Sequence, residues 1–139
     1  MSIPCSLVSL VLVSVFSALA YGAEFPTALE GEAVSNQDGW RNTVALRGLS
    51  FSEGRLVGRG DLSLKPPEVA NKHCMRIDTE ITGAYSLTSN GDIESMEIAF
   101  PSPAGPRCDA ITVKLVFDPH SGAYVSQTKR WNWKLRVVK

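Results

Sequence analysis

The sequence has no excess of charge of either sign. Its 139 residues include 14 basic and 14 acidic side chains, so the formal net charge is zero. Nucleic acids and anionic membranes are recognised mainly through basic patches, and this composition predicts no such partner. Apolar residues make up 44% of the chain, which argues against general disorder and suits one globular domain.

Charged residues are also missing from the first 23 positions. An apolar run from Leu7 to Leu19 is too short to span a bilayer and matches the core of a signal peptide. We therefore predict a signal peptide over residues 1–20, cleaved after Ala20 or, alternatively, after Ala23. No Lys or Arg precedes the run, and an uncleaved anchor is the other interpretation. The expectation is a secreted protein, periplasmic or extracellular, without an integral membrane segment after processing.

Cysteine is scarce, with three residues in the chain. Cys5 would leave with the signal peptide, so Cys74 and Cys108 remain as an even pair in an oxidising compartment. This predicts a disulfide between them. The alternative is a metal site, because His73 lies beside Cys74. No second Cys or His lies at ligand spacing near Cys108, so no metal site is predicted.

Helical periodicity is nearly absent, and alternation of apolar and polar residues takes its place. In "MRIDTEITG" the alternation puts Met75, Ile77 and Ile81 on the inner face and Arg76 and Asp78 on the outer face. The predicted strands are 43–51, 55–64, 75–87, 92–100, 110–117, 123–129 and 131–137, with a weaker one at 28–34.

Short turns separate these strands, at Gly54, Asn90-Gly91 and Ser121-Gly122. Asn-Gly is a strong hairpin signal because both residues tolerate positive φ. The chain is thus predicted to be all-β, a single-domain antiparallel meander of 7–8 strands. Closure removes exposed strand edges, so we favour a small up-and-down (calycin-like) β-barrel over a β-sandwich or an open sheet on a short helix near 66–74. The barrel domain would cover 40–139, after an N-terminal segment, 21–39, that holds the weaker strand.

Glycines mark irregular positions in two strands. The apolar phase of "TVALRGLSF" changes at Gly48, which predicts a β-bulge, and a second phase change after Ile93 predicts another. Gly58 and Gly60 would face inward and leave the interior locally empty. This suggests a bulge, a tight bend or room for a ligand, of which we favour the bend.

The tripeptide Arg59-Gly60-Asp61 matches a cell-adhesion ligand in composition. An adhesion ligand needs its carboxylate at the tip of a loop, whereas these residues fall in the middle of strand 55–64. We therefore interpret Arg59 and Asp61 as part of a solvated strand face.

No catalytic constellation has convincing spacing, so no catalytic residue and no cofactor is predicted. His73 lies in a Pro-rich loop and His120 in a turn beside Ser121, where neighbouring side chains diverge. Asp78 and Glu80 share a strand face, but nothing there would desolvate them. A secreted hydrolase remains an alternative, and it requires one of the two histidines within hydrogen-bond reach of a carboxylate.

Aromatic residues are the stronger indication of a binding site. Those predicted to point inward form either a packed core or the lining of a ligand cavity, since a barrel of about eight strands has room for side chains or for one small ligand. The candidate cavity-lining residues are Trp131, Trp133, Tyr85 and Phe117, and Phe51 and Phe100 are also predicted to point inward.

The stretch "HSGAYVSQTKRWNWK" contains Ser121-Gly122 and Tyr124, followed by Lys129. It resembles the Ser-Gly-x-x-Tyr loop of bacterial periplasmic inhibitors of C-type lysozyme, with one residue fewer before the tyrosine. Those inhibitors are small exported barrels that insert a loop into the enzyme's cleft. The resemblance implies that Ser121 and Lys129 contact the catalytic carboxylates of such an enzyme, with Gly122 and Tyr124 as further loop contacts.

Together these features predict an exported, non-enzymatic β-barrel that binds a small apolar ligand or a secreted protein through its cavity or its hairpin loops. The alternatives are a periplasmic inhibitor of a lysozyme-type hydrolase that acts through the 118–124 loop, and the secreted hydrolase.

Overall fold

A computed structural model describes residues 25–37, 39–65, 74–103 and 108–139. Eight antiparallel strands follow one another around a closed barrel, and the last strand pairs with the first. The predicted up-and-down barrel is confirmed, and the sandwich and the open sheet are excluded. The strands are β1 (Leu29–Ser35), β2 (Arg41–Ser52), β3 (Arg55–Lys65), β4 (Arg76–Leu87), β5 (Ile93–Phe100), β6 (Ile111–Asp118), β7 (Ala123–Gln127) and β8 (Trp131–Val137).

The weaker predicted strand is a full member of the barrel. Strand β1 pairs with β2 on one side and with β8 on the other, so the barrel begins at Leu29, before residue 40. The predicted signal peptide and both cleavage sites lie outside the described residues, as do 66–73 of the segment where a short helix was the alternative. Within the described ranges, no helix has the length and apolar character needed to cross a membrane.

The up-and-down topology gives the barrel two ends. The turns β2–β3, β4–β5 and β6–β7 lie at one end, which we call the hairpin end. Residues 25–28 lie there too, because the carbonyl of Thr27 accepts a bond from the Leu49 N–H and the carbonyl of Ala28 accepts one from the Val138 N–H. The opposite end, the loop end, holds the turns β1–β2 and β7–β8 and the two cysteines.

The middle of the barrel is filled by apolar side chains. A Cβ placed on Gly60 would lie 2.9 Å from the side chain of Leu46 and 3.0 Å from that of Phe100, so these two residues occupy the room that the glycine leaves. Gly83 allows close backbone contact instead, since its Cβ would lie 1.9 Å from the carbonyl oxygen of Glu97. The most deeply buried large residues are Phe100, Leu29, Leu46, Leu56, Ile81, Met96, Ile98, Leu115, Leu135 and Val44.

Both predicted bulges are present. The register of β2 against β3 shifts between Arg47 and Ser50, where Gly48 has a φ of 59°, and that of β4 against β5 shifts between Ser86 and Leu87, opposite Ile93. A third shift, between Gly60 and Leu62, lies beside Gly60, where a bulge was one interpretation of the inward glycines although we favoured a bend. It places two residues of β4, Ile77 and Asp78, opposite the single residue Asp61 of β3.

This third bulge reverses the expected alternation at the start of β4. Arg76 is 3% exposed and Ile77 is 70% exposed, so the prediction that Ile77 faces inward and Arg76 outward is wrong. The Arg76 guanidinium donates hydrogen bonds to the backbone carbonyls of Cys74, Pro101 and Asp109, and its burial lowers its pKa. Those bonds satisfy a cation that would otherwise be costly to bury.

Charged side chains on the outer face hold the bulge. Asp78 has a φ of 49°, which is uncommon for a residue with a side chain. Its backbone N–H donates to Asp61 Oδ1 at 2.6 Å, and its carboxylate accepts bonds from Arg47 at 2.7 Å and Arg59 at 2.8 Å. Arg47 also pairs with Asp61 at 2.8 Å. Arg59-Gly60-Asp61 therefore lies on a strand face, as predicted, where its two charged residues stabilise the bulge.

The predicted disulfide between Cys74 and Cys108 is present. It connects the residues just before β4 to the residues just before β6 at the loop end. Because Arg76 binds the carbonyls of Cys74 and Asp109, the covalent bond and the guanidinium hold the same two segments together.

Candidate functional site

The four candidate cavity-lining aromatics do not share one cavity. Trp131 and Trp133 line a cavity of about 290 Å³ at the loop end. Tyr85 is at the hairpin end, where its ring contacts Phe25 and Phe51 at centroid distances of 5.7 and 5.2 Å. Phe117 is also at the hairpin end, but its ring contacts Tyr124 and not Tyr85.

A cavity of about 360 Å³ opens at the hairpin end, and we call it the hairpin-end pocket. It joins the N-terminal segment, the β4–β5 turn and the ends of β5, β6 and β7. The residues that line it are Pro26, Thr88, Asp92, Ile93, Glu94, Phe117 and Tyr124.

One wall of the hairpin-end pocket is the predicted Asn-Gly turn and the residues that follow it. Gly91 has a φ of 88°, its N–H donates to the Thr88 carbonyl at 3.0 Å, and the Thr88 N–H donates to the Asp92 carbonyl at 2.8 Å. The Asp92 N–H further donates to Thr88 Oγ1 at 3.3 Å. This tight turn fixes the backbone from which Asp92 and Glu94 extend beside the buried Ile93.

The opposite wall is an aromatic pair. Phe117 and Tyr124 face each other across β6 and β7 in an edge-to-face contact with ring centroids 5.3 Å apart. Phe117 has the inward strand phase that was predicted, but its position at the barrel's end leaves it 40% exposed. Its ring is therefore available to a molecule in the pocket.

Tyr124 also contributes a hydroxyl group to this wall of the hairpin-end pocket. Its side chain is almost entirely buried, with 6% exposed, and its hydroxyl forms no hydrogen bond within the described part of the chain. Burial, with a smaller contribution from the negative charge of Asp92, raises the pKa of Tyr124. The phenol is thus protonated at neutral pH and can both donate and accept a hydrogen bond.

Ser121 and Gly122 form the turn next to this pocket. Ser121 Oγ donates to Asp118 Oδ2 at 2.8 Å, the His120 N–H donates to Asp118 Oδ1 at 3.1 Å, and the Gly122 N–H donates to the Asp118 carbonyl at 2.8 Å. The hydrogen bond from Ser121 is the main cause of the lowered pKa of Asp118. The serine hydroxyl is thus already engaged within its own turn.

Lys129 lies at the other end of the barrel. It belongs to the β7–β8 turn at the loop end, whereas Ser121 belongs to the β6–β7 turn at the hairpin end. The intervening strand β7 is roughly 17 Å long at about 3.3 Å per residue. The structure therefore does not bring together the two side chains that the resemblance to lysozyme inhibitors implies as joint contacts.

The hydrolase alternative requires a histidine beside a carboxylate. His120 interacts with Asp118 through its backbone N–H, and its ring has no hydrogen bond or ion pair with any carboxylate of the described residues. His73 lies outside the described residues. Across 25–37, 39–65, 74–103 and 108–139, no three His, Cys, Asp or Glu side chains are grouped so that they could hold a metal ion.

Of the residues at this pocket, the sequence analysis named Phe117 as a candidate for a cavity lining and Tyr124 as a candidate loop contact, and it placed a hairpin turn at Asn90-Gly91. It did not name Pro26, Thr88, Asp92 or Glu94. The available signal was the pair of acidic residues directly after the Asn-Gly turn. Comparison with known proteins adds no further candidate, since no protein-family model, curated protein or solved structure matches the chain.

Proposed function

We propose that the protein is an exported, non-enzymatic binding protein whose hairpin-end pocket takes a small amphipathic amine. The apolar part of the ligand would lie against Phe117 and Tyr124, and its ammonium group would face Asp92 and Glu94. The main support is Tyr124, whose ring is almost entirely buried in the pocket wall and whose hydroxyl has no hydrogen-bond partner among the described residues.

The lining of the pocket favours a cation over other polar ligands. The Tyr124 hydroxyl has no partner among the described residues, and a hydrogen bond from a ligand N–H to it would contribute about 0.5–1.5 kcal/mol. Ammonium groups are also attracted to aromatic rings and to carboxylates. The two charged residues of the lining, Asp92 and Glu94, are both acidic, so an anionic ligand would be repelled.

Export is supported by two features of the chain. The first 23 residues are uncharged around an apolar run, and the disulfide between Cys74 and Cys108 is compatible with an oxidising compartment.

Calorimetric titration of the processed protein with phenethylamine tests the proposal. This probe joins an aromatic ring to a primary ammonium group, and phenylacetate, which has a similar ring but a carboxylate, is the matched control ligand. We expect phenethylamine to bind and phenylacetate not to bind. Equal binding of the two probes would show that Asp92 and Glu94 do not select the ligand and would refute the proposal.

Two substitutions locate the binding site. Tyr124→Phe removes the unpaired hydroxyl and should weaken phenethylamine binding about fivefold, the value of one ordinary hydrogen bond. Tyr85→Phe is the matched control, because Tyr85 is a tyrosine of the same end that packs in a separate aromatic cluster. Unchanged affinity in Tyr124→Phe, or equal loss in both variants, would contradict the assignment of the pocket.

A further inference from the structure

The barrel wall is incompletely paired between β6 and β7. Their ladder consists of three residue pairs, from Val116–Val125 to Asp118–Ala123, all in the half nearer the hairpin end. Residues Ile111–Leu115 of β6 pair with β5, but in the described part of the chain no strand pairs with their other edge. We call this gap in the loop-end half the β6–β7 split.

Hydrogen bonds at the loop end explain why β7 leaves β6. The side-chain amide of Asn36, in the β1–β2 turn, donates to the carbonyls of Thr128 at 3.1 Å and Lys129 at 3.4 Å. The Asn36 N–H donates to the Arg130 carbonyl at 2.8 Å, and Asn132 Nδ2 donates to Asn36 Oδ1 at 2.6 Å. The β7–β8 turn is thus bound to β1–β2 and directed away from β6, so the split is built into the fold.

Cavities lie on both sides of the split. One is an open groove of about 600 Å³ on the outer surface, bordered by residues such as Lys114 and Gln127. The other is the loop-end cavity of about 290 Å³ that contains Trp131 and Trp133. Thr112, Val113 and Thr128 line both, so the groove and the loop-end cavity are neighbours on the two sides of the split.

The loop-end cavity differs in chemistry from the hairpin-end pocket. All the residues that line it are uncharged, namely Asn42, Leu62, Ile111, Thr112, Val113, Thr128, Trp131 and Trp133. Among them, Asn42 Oδ1 is buried and has no hydrogen-bond partner. A buried acceptor beside two indole rings suits a flat apolar molecule that donates one hydrogen bond.

We propose that the β6–β7 split is the lateral entrance to a second binding site, which takes an uncharged, mostly apolar, planar molecule with one N–H or O–H donor. The molecule passes between β6 and β7 where no ladder hydrogen bond has to break. It then lies against Trp131 and Trp133 and donates to Asn42 Oδ1. This site is at the opposite end of the barrel from the hairpin-end pocket and does not depend on that pocket's ligand.

Fluorescence titration with N-phenyl-1-naphthylamine tests the site. This neutral probe has two aromatic groups and one N–H, and its emission rises in apolar surroundings. Its N-methyl derivative has the same shape without the donor and serves as the control. We expect the processed protein to bind the N–H probe about fivefold more tightly than the N-methyl probe, the effect of one hydrogen bond.

Asn42→Leu should abolish this preference by removing the acceptor while leaving binding of the N-methyl probe in place. Thr112→Tyr should slow association of both probes about tenfold by narrowing the split, whereas the surface control Thr82→Tyr on β4 should not. Thr112 is exposed, so this variant stays informative if Asn42→Leu fails to fold. An unchanged preference in Asn42→Leu, equal rates in Thr112→Tyr and wild type, or loss of probe binding in Tyr124→Phe would each overturn the proposal.

Discussion

The walls on the two sides of the barrel are built differently. Strands β2 and β3 pair along nearly their whole length, from Arg41–Lys65 to Ser52–Arg55, and β3 continues into β4 across a bulge held by charged side chains. Strands β6 and β7 pair over three residues and then diverge. The first wall has glycines that admit close packing, whereas the second has a cavity on each side of its split.

This difference suggests a division of roles within one small domain. Burial and ladder hydrogen bonds supply most of the stability of such a barrel, and a well-paired wall provides both. Where few hydrogen bonds join two neighbouring strands, as between β6 and β7, a ligand can enter between them with little loss in the free energy of unfolding. The comparison predicts that equivalent disturbances are costly near β2–β5 and nearly neutral along the β6–β7 split.

The largest effect is expected from loss of the disulfide that anchors the start of β4. Cys74 and Cys108 are 34 residues apart, and a loop of that size contributes roughly 3–4 kcal/mol in the chain-entropy model. Replacing both cysteines by serine should lower the free energy of unfolding by that amount in urea denaturation. The processed wild type, which lacks Cys5, should take up no alkylating label without reductant, and uptake of two labels would disprove the bond.

A smaller but still large effect is expected from Gly83→Ala in β4. The new Cβ would lie 1.9 Å from the carbonyl oxygen of Glu97, so the backbones of β4 and β5 must separate. Overpacking of this kind costs about 1–3 kcal/mol. Thr82→Ala, at an exposed position of the same strand, is the control, and equal midpoints for the two variants would show that β4 and β5 are less closely packed than the structure indicates.

Low pH should destabilise the pairing of β3 with β4, because charged side chains hold the bulge between these strands. Hydrogen bonds from Arg47 and then from the Asp78 N–H lower the pKa of Asp61, and bonds from Arg59 and Arg47 lower that of Asp78. Folded-state pKa values below the ordinary 3.8 mean that this contribution is complete above about pH 5. It is lost as the pH falls through about 4 and below, where protonation breaks the bonds.

Urea denaturation between about pH 6 and pH 3 tests this dependence. Asp61→Asn should be less stable than wild type at neutral pH and should lose less stability on acidification, because it has one fewer carboxylate to protonate. Glu30→Gln, on the exposed face of β1, should follow the wild-type curve. Parallel curves for Asp61→Asn and wild type would remove Asp61 from the explanation.

The sequence predicts the barrel because its signals are local. Alternating residues, the Asn90-Gly91 turn and the phase change at Gly48 each depend on a few neighbours along the chain. Gly60 on the facing strand allowed a bulge in this region, but the sequence does not place its extra residue at Asp78, because "MRIDTEITG" alternates without a break. Its cause is nonlocal: the carbonyls of Pro101 and Asp109, far along the chain, accept hydrogen bonds from Arg76 and thereby keep it inside.

The candidate site was predicted only in part for a similar reason. The alternation of residues along β6 correctly predicted that Phe117 faces inward. Alternation alone does not indicate how close to the end of the barrel a residue lies. Asp92, Glu94 and Pro26 meet Tyr124 only because closure of the barrel brings three separate segments to one end. Likewise, the β6–β7 split depends on Asn36, which is more than 90 residues from the turn that it binds.

The smallest effect is expected on the split itself, from Gln127→Ala at the end of β7. Gln127 pairs with Asn132 of β8 but has no partner across the split on β6, so its exposed side chain supports no ladder there. Substitutions at such surface positions change stability by less than about 0.5 kcal/mol. A loss above about 1 kcal/mol in urea denaturation would mean that β6 and β7 pair along this stretch in solution. In that case the wall would be closed like that of β2 and β3, and the lateral entrance would not exist.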